Sequence, residues 1–238
     1  MSEFFLRPSP PSPPKTRQEM VRRARELAGR TVADIADQFG LVVPPDLKRH
    51  KGWLGCLVET ALGADATSRD VPDFRFLGVE LKTIPVDRTG KPFETTFVCT
   101  VPMAEVGEGR WEESRVKRKL AEVLWVPVLA ERGLPLSHRI VGEPLHWCLD
   151  GEDEAALRAD WEELVGLIGR GGIDEVTAKM GRYLQIRPKA AHGRVRRTTI
   201  DAEGDLHEAQ PRGFYLRPSF TGALLQRAFA VARPAVKG

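Results

Sequence analysis

No stretch of this 238-residue chain approaches the ~20 consecutive apolar residues that carry a helix across a bilayer. Near the N-terminus only Phe4, Phe5 and Leu6 form an apolar patch before the prolines begin, too short for the core of a secretory signal. A cytoplasmic protein with no membrane partner is the expectation. Cysteine is scarce: Cys56, Cys99 and Cys148 lie far apart with no CxxC spacing, which argues against a zinc site and against a disulfide framework. Each is expected to be a small buried apolar side chain. Histidine offers little more. His138, His192 and His207 lack a clear partner, and His146 and Trp147 sit in a proline-bounded apolar stretch that reads as packing, so histidine-based acid–base chemistry is not supported. Charge of one sign is also missing in bulk, since 36 basic against 33 acidic residues leave a net charge of only +3.

What is present is an ordinary globular composition, 42% hydrophobic and 29% charged, in a chain long enough to bury a sizeable core. The charges are segregated. Arg182 to Arg197 holds six Lys/Arg and no acid, whereas Asp150 to Glu163 holds seven acids and one Arg. That pattern fits a positive surface for a polyanion, bound through counterion release. A merely solvated face accounts for it equally well.

Residues 7–14 (RPSPPSPP) form a proline-rich lead, expected to be extended and mobile. Helices are expected over Arg17–Leu27, ending at Gly29, and Val32–Phe39, capped by Thr31 and ending at Gly40. A third, Gly52–Leu62, repeats Trp53, Leu54, Leu57, Val58, Ala61 and Leu62 at helical spacing. Strands are expected over Phe74–Ile84, Glu94–Met103, Val123–Leu129, Arg182–Arg187 and Arg212–Leu216. A basic helix falls at about 113–121. Leu157, Trp161, Leu164, Val165 and Ile168 mark a long amphipathic helix that stops at Gly171–Gly172. Thr221 could cap a last one. The mixture is α/β or α+β, a mixed sheet flanked by helices.

The stretch PDFRFLGVELKT, residues 72–83, places two carboxylates and an ammonium in an otherwise apolar strand. Alternation puts Glu80 and Lys82 on one face and Val79 and Leu81 on the other. Asp73 follows Pro72, suited to a turn entering the sheet, from which its carboxylate can meet that of Glu80. Two carboxylates and a backbone carbonyl are hard oxygen ligands of the kind Mg²⁺ prefers. A lysine beside them would serve as a compact point charge. At ~100° per residue Glu59 lies about 150° from the centre of its helix's apolar stripe, so it faces away from that core, as a further ligand or as a solvated glutamate. On spacing alone both readings stand, a metal-assisted phosphodiester site and a charged strand face.

Six blocks go further: LKRHKGWLGCLVETALGA (47–64), DFRFLGVELKTIPVD (73–87), ETTFVC (94–99), ADWEEL (159–164), YLQIRPKAA (183–191) and PRGFYL (211–216). Together, and in order from about 20 to about 230, they closely resemble the MutH family of mismatch-repair endonucleases. The segment from about 192 to 210, with Arg194, Arg196 and Arg197, does not share the likeness.

The resemblance implies a restriction-endonuclease-like fold of the PD-(D/E)xK superfamily, with two arms forming a cleft for duplex DNA. Residues 1–16 would be a flexible lead, and 17–238 a single domain with an N-terminal catalytic arm and a C-terminal reading arm. It implies a Mg²⁺-dependent nick in the unmethylated strand of hemimethylated GATC sites, by a monomer that MutL activates. Mn²⁺ would substitute, and Ca²⁺ would bind without supporting cleavage. Asp73 and Glu80 look like the metal-binding carboxylates, Leu81 a backbone-carbonyl ligand and Lys82 the catalytic lysine. Glu59 matches a carboxylate beside the metal, and Lys119 a second lysine needed for activity. Arg187 and Lys189 fall in what resembles a loop entering the major groove, where an arginine has the forked donors for guanine. Tyr215 matches a tyrosine that senses adenine methylation, and Lys51 a lysine contacting phosphate. The alternatives are a stand-alone restriction-type enzyme cutting both strands at GATC and a catalytically silent DNA-binding module. Retention of Asp73, Glu80 and Lys82 together argues against the silent module.

Overall fold

The computed structural model describes residues 9–47, 49–66, 68, 70–101, 109–172, 175–189, 197–200, 206–209 and 211–231. Arg194, Arg196, His192 and Met103, all named above, lie outside the described residues. Six helices are described: α1 (Arg17–Leu27), α2 (Val32–Gln38), α3 (Trp53–Leu62), α4 (Arg115–Leu120), α5 (Gly151–Gly169) and α6 (Pro218–Val231). The first four strands are β1 (Glu80–Val86), β2 (Thr96–Thr100), β3 (Glu122–Leu129) and β4 (Leu145–Cys148). They are followed by β5 (Leu184–Pro188), β6 (Arg197–Ile200), β7 (Leu206–Ala209) and β8 (Arg212–Leu216). Among the described residues no helix is long and apolar enough to cross a membrane.

The chain organises into two compact units, residues 1–93 with 122–147 and 225–238, and residues 94–121 with 148–224. The first is built on a three-stranded sheet in the order β1-β3-β4. β1 and β3 run parallel, in register from Glu80 opposite Val123 to Val86 opposite Leu129. Leu81, Leu124, Val126 and Val128 point from one face of this pair into a core shared with Met20, Ala24, Ile35, Leu57, Val58 and Leu62 of α1 to α3. Each fully buried Val, Leu, Ile or Met side chain among these contributes about 1.5–3 kcal/mol. Helices α1 and α2 begin where the sequence says they should. Thr16 caps α1 by accepting from the Glu19 N–H, and Thr31 and Asp34 form a reciprocal capping box on α2. Ahead of α1, the Ser12 carbonyl accepts a bond from Arg23, and Pro14 is buried.

Several expectations are corrected. β1 starts at Glu80, not Phe74: the Phe74 and Val79 backbones bridge each other across a turn, with Gly78 at φ +70°. Phe74 and Phe76 mimic strand alternation, but a left-handed residue breaks the strand. β4 was not expected. There His146 Nε2 lies 2.6 Å from Glu122 Oε1, and Trp147 packs at a tilt on Trp125 with ring centroids 6.1 Å apart. Helix α6 begins three residues before Thr221, because Pro218 suits a first helical position. Thr221 is fully buried inside it. Of the cysteines only Cys99 is buried, while Cys56 and Cys148 are exposed.

The second unit carries an antiparallel sheet in the order β2-β8-β5, with β6 and β7 as a separate pair. One face buries Leu184, Ile186, Phe214 and Leu216. The link from α5 into β5 is set by Asp160, only 5% exposed. Its carboxylate accepts three backbone N–H bonds, from Arg182 (2.7 Å), Tyr183 (2.6 Å) and Leu184 (2.7 Å). The chain approaches so closely here that a Cβ on Gly181 would fall 1.9 Å from the Leu184 carbonyl oxygen. Only glycine fits.

Candidate active site

The first unit brings four of the expected residues together. Helix α3 supplies Glu59, the turn ahead of β1 supplies Asp73, and β1 supplies Glu80 and Lys82. The turn is tied at its base: the Asp65 N–H donates to the Asp73 carbonyl at 2.9 Å, and Asp65 Oδ1 accepts from the Arg75 N–H at 2.9 Å. Asp73 Oδ2 in turn accepts from the Leu81 N–H at 2.8 Å. In a strand the N–H and C=O of one residue point to the same edge, so the Leu81 carbonyl is directed to the Asp73 side, away from β3.

Glu80 is 5% exposed. Lys82 Nζ sits 2.6 Å from Glu80 Oε1, as expected for side chains two apart on one strand. Glu59 faces away from the core of α3, but β1 and its turn cover that flank, so it is half-buried rather than solvated. Burial pushes the Glu59 carboxyl above its ordinary range, and the Asp73 and Glu80 carboxylates push it further, against a smaller opposing pull from Lys82. Three carboxylates share this corner with one ammonium. Such a set is costly to ionise without another cation, and its donors, carboxylates and a backbone carbonyl, are those that a hard divalent ion takes. The residues present fit that ion.

The second unit gathers three others. Register places Tyr215 of β8 opposite Gln185 of β5 and Phe97 of β2. Arg187 and Lys189 follow Gln185 at two-residue steps and so share its face. The Phe97 and Tyr215 rings meet edge to face, 5.3 Å between centroids and 64° apart. Lys189 Nζ lies 4.6 Å from the Phe97 ring centroid and donates to Thr100 Oγ1 at 2.8 Å. Arg187 Nη1 donates to Thr95 Oγ1 at 3.1 Å. Burial raises the Tyr215 phenol above its usual value, and Arg187 offsets part of that rise, so the hydroxyl stays neutral at working pH.

Lys51 is exposed just ahead of α3, and Lys119 is half-buried on α4 in the second unit. Sequence reasoning missed Asp65, Phe97 and Gly213. A Cβ on Gly213 would fall 2.8 Å from Phe97 Cε2 and 3.2 Å from Tyr215 Cε2, so that glycine makes room for the ring pair. Phe97 carried no signal beyond strand alternation. Asp65 carried none, since its role is a bond to a residue ten positions on.

Comparison with known proteins points to one family. A family model described as "DNA mismatch repair enzyme MutH" matches residues 62–160. A Vibrio cholerae protein named DNA mismatch repair protein MutH is 52% identical over 217 residues, covering 91% of this chain and 98% of its own. Proteins of the same name from Escherichia coli (50% over 220 residues, 92% and 96% covered) and Serratia proteamaculans (49% over 227, 95% and 99% covered) are similar throughout.

Proposed function

This chain belongs to the MutH family of DNA mismatch repair enzymes, restriction-endonuclease-like in fold and endonucleolytic in activity, and on that premise we propose that it nicks hemimethylated GATC sites. The reaction is Mg²⁺-dependent hydrolysis of one phosphodiester bond in the unmethylated strand, activated by MutL. The observation that carries this reading is the convergence of Glu59, Asp73 and Glu80 with Lys82 at the start of β1.

Asp73, Glu80 and the Leu81 carbonyl would hold the cation, with Glu59 beside them. When bound, it supplies charge stabilisation at the scissile phosphate and a more acidic water. The chain's own groups do the rest. Asp73 is held through its Oδ2 by the Leu81 N–H, which fixes the direction of its carboxylate. Lys82 is a fixed ammonium that Glu80 anchors, placed to donate to the attacking water or to the phosphate oxygens as charge grows there. Glu59, half-buried beside them, would accept a hydrogen bond from a water at its Oε atoms. For Lys119, on α4 of the second unit, the family resemblance supports a role in activity.

We assign the chemistry to the first unit and base reading to the second. Arg187 and Lys189 would enter the major groove, Arg187 toward guanine O6 and N7. Tyr215 would meet adenine N6, where a methyl group changes the contact. Lys51 would position the duplex through a phosphate.

The test is a nicking assay on supercoiled plasmid carrying one hemimethylated GATC site, with Mg²⁺, with and without MutL. Open-circular product that rises with MutL is expected. Linear product without MutL would replace this reading with a two-strand restriction activity. DNA binding without cleavage under any condition would leave a silent module.

A further inference from the structure

The turn that joins Asp73 to Glu80 carries two side chains that the mechanism does not use. Phe76 is 87% exposed, the most exposed of the large hydrophobic side chains described. Arg75 is exposed beside it, and among the described residues its guanidinium has no hydrogen bond or ion pair.

The turn beneath them is firmly held. Phe74 is 1% exposed and Leu77 8%, both within the core of the first unit. The Gly78 N–H donates to the Phe74 carbonyl at 2.9 Å, and the Phe74 N–H to the Val79 carbonyl at 2.9 Å. Arg17 Nη2 donates to the Leu77 carbonyl at 2.8 Å. The Arg75 N–H is fixed by Asp65, and Gly78 closes the turn at φ +70°. A bare phenyl and a bare guanidinium therefore stand on a pre-ordered tip, where exposing the ring brings no folding benefit.

We propose that Arg75 and Phe76 form a DNA contact flanking the scissile phosphate, Arg75 on a neighbouring phosphate and Phe76 against the adjacent sugar and base edge. The proposal rests on the endonuclease reading above. It follows from reach. Chain spacing of at most ~3.6 Å per residue keeps Arg75 and Phe76 within roughly 7 and 11 Å of Asp73, Cα to Cα. A DNA strand advances only about 3.4 Å per phosphate along the axis. A duplex laid with one phosphodiester on Asp73 and Glu80 thus brings its next few nucleotides to the tip. The cation suits a phosphate, and aromatic or apolar side chains are what proteins set against base steps. Both act as positioning residues, pre-ordered so that binding costs little side-chain or loop entropy.

The test compares Arg75→Ala, Phe76→Ala and Phe76→Tyr with wild type. It reads duplex affinity in Ca²⁺ across a salt series, single-turnover cleavage in Mg²⁺, and thermal unfolding. Arg75→Ala is expected to lower the slope of log K against log salt by about 0.9, the signature of one lost phosphate contact. Phe76→Ala is expected to slow cleavage roughly tenfold at an unchanged salt slope, toward the low end for a base–aromatic contact. Phe76→Tyr should restore it, and all three should unfold like wild type. Wild-type affinity, slope and cleavage in both alanine variants would overturn the proposal and turn the tip away from DNA. So would a loss confined to MutL-stimulated cleavage, which would make the tip a protein contact. Failure of the wild-type enzyme to nick GATC would instead refute the function proposed above, while the salt slope would still report whether Arg75 touches a phosphate.

Discussion

Around β1, three carboxylates and a lysine are pressed into one corner, and the Glu59 carboxyl is pushed up first by burial and then by the like charge of Asp73 and Glu80. Along β5 and β8, by contrast, Arg187 and Lys189 rest on threonine hydroxyls and an aromatic ring, on a sheet face opposite the one that buries Leu184, Ile186, Phe214 and Leu216. The first arrangement is electrostatically frustrated, and a bound cation would relieve it. The second is relaxed as it stands, with its charge turned outward. Frustration of this kind marks chemistry, whereas relaxed charge on a rigid sheet marks recognition.

The sharpest way to break that contrast is Asp73→Ala. Removing one carboxylate takes away a proposed metal ligand and the partner of the Leu81 N–H. Cleavage should fall at least about a thousandfold, equivalent to roughly 4 kcal/mol of barrier. Duplex binding in Ca²⁺ should stay near wild type, because the reading face is untouched. A variant that still cuts would remove Asp73 from the catalytic assignment.

The second unit has a carboxylate of the opposite kind. Asp160 is buried, yet three N–H donors satisfy it. Asp160→Ala strips those donors of their acceptor and should cost about 3 kcal/mol or more in urea unfolding. An effect below 1 kcal/mol would show that the α5–β5 link holds without it. The same type of side chain is thus a structural cap in the second unit and, on the proposed reading, a metal ligand in the first.

Tyr215 tests the reading face. Tyr215→Ala should change the ratio of cleavage on hemimethylated and unmethylated GATC by about tenfold, the low end for loss of one specific base contact. Gly213→Ala should shift the ratio the same way by less, since its Cβ would press the Phe97 ring that packs on Tyr215. Unchanged ratios in both would take methyl sensing away from this ring pair.

How legible all this was in the sequence differs between the two regions. Glu80, Lys82 and Leu81 could be placed by strand alternation alone, and α1, α2 and β8 by caps and turn residues. Asp73 needed the turn, and there alternation misled: Phe74 and Phe76 look like strand neighbours, yet one anchors the core and the other projects. Glu59 could be assigned a direction but not a neighbour, because what covers that flank of α3 is long-range packing. The Phe97–Gly213–Tyr215 arrangement was illegible, since a glycine that makes room for two rings leaves no local pattern. The resemblance to the MutH family named Tyr215 without supplying what holds it.

The smallest expected effect separates the two kinds of carboxylate most cleanly. Glu59 has its pKa raised in the folded state, so it binds a proton more tightly there than in the unfolded chain. The stability this contributes is fully present below the unfolded value of about 4.3 and is lost as pH rises through the folded pKa. Above that, the ionised carboxylate weighs against the fold. Glu59→Gln should therefore stabilise the metal-free protein at pH 8, by less than about 1 kcal/mol because solvent screens a half-buried group. The gain should vanish near pH 4, where wild-type Glu59 is itself neutral. Urea unfolding in EDTA at the two pH values reads the difference. Ca²⁺ should then reverse the order at pH 8, since a cation that binds only the folded state rewards the charge that Gln lacks. An equal gain at both pH values would mean that neither burial nor Asp73 and Glu80 shift the Glu59 carboxyl, and the frustration inferred for this corner would be gone.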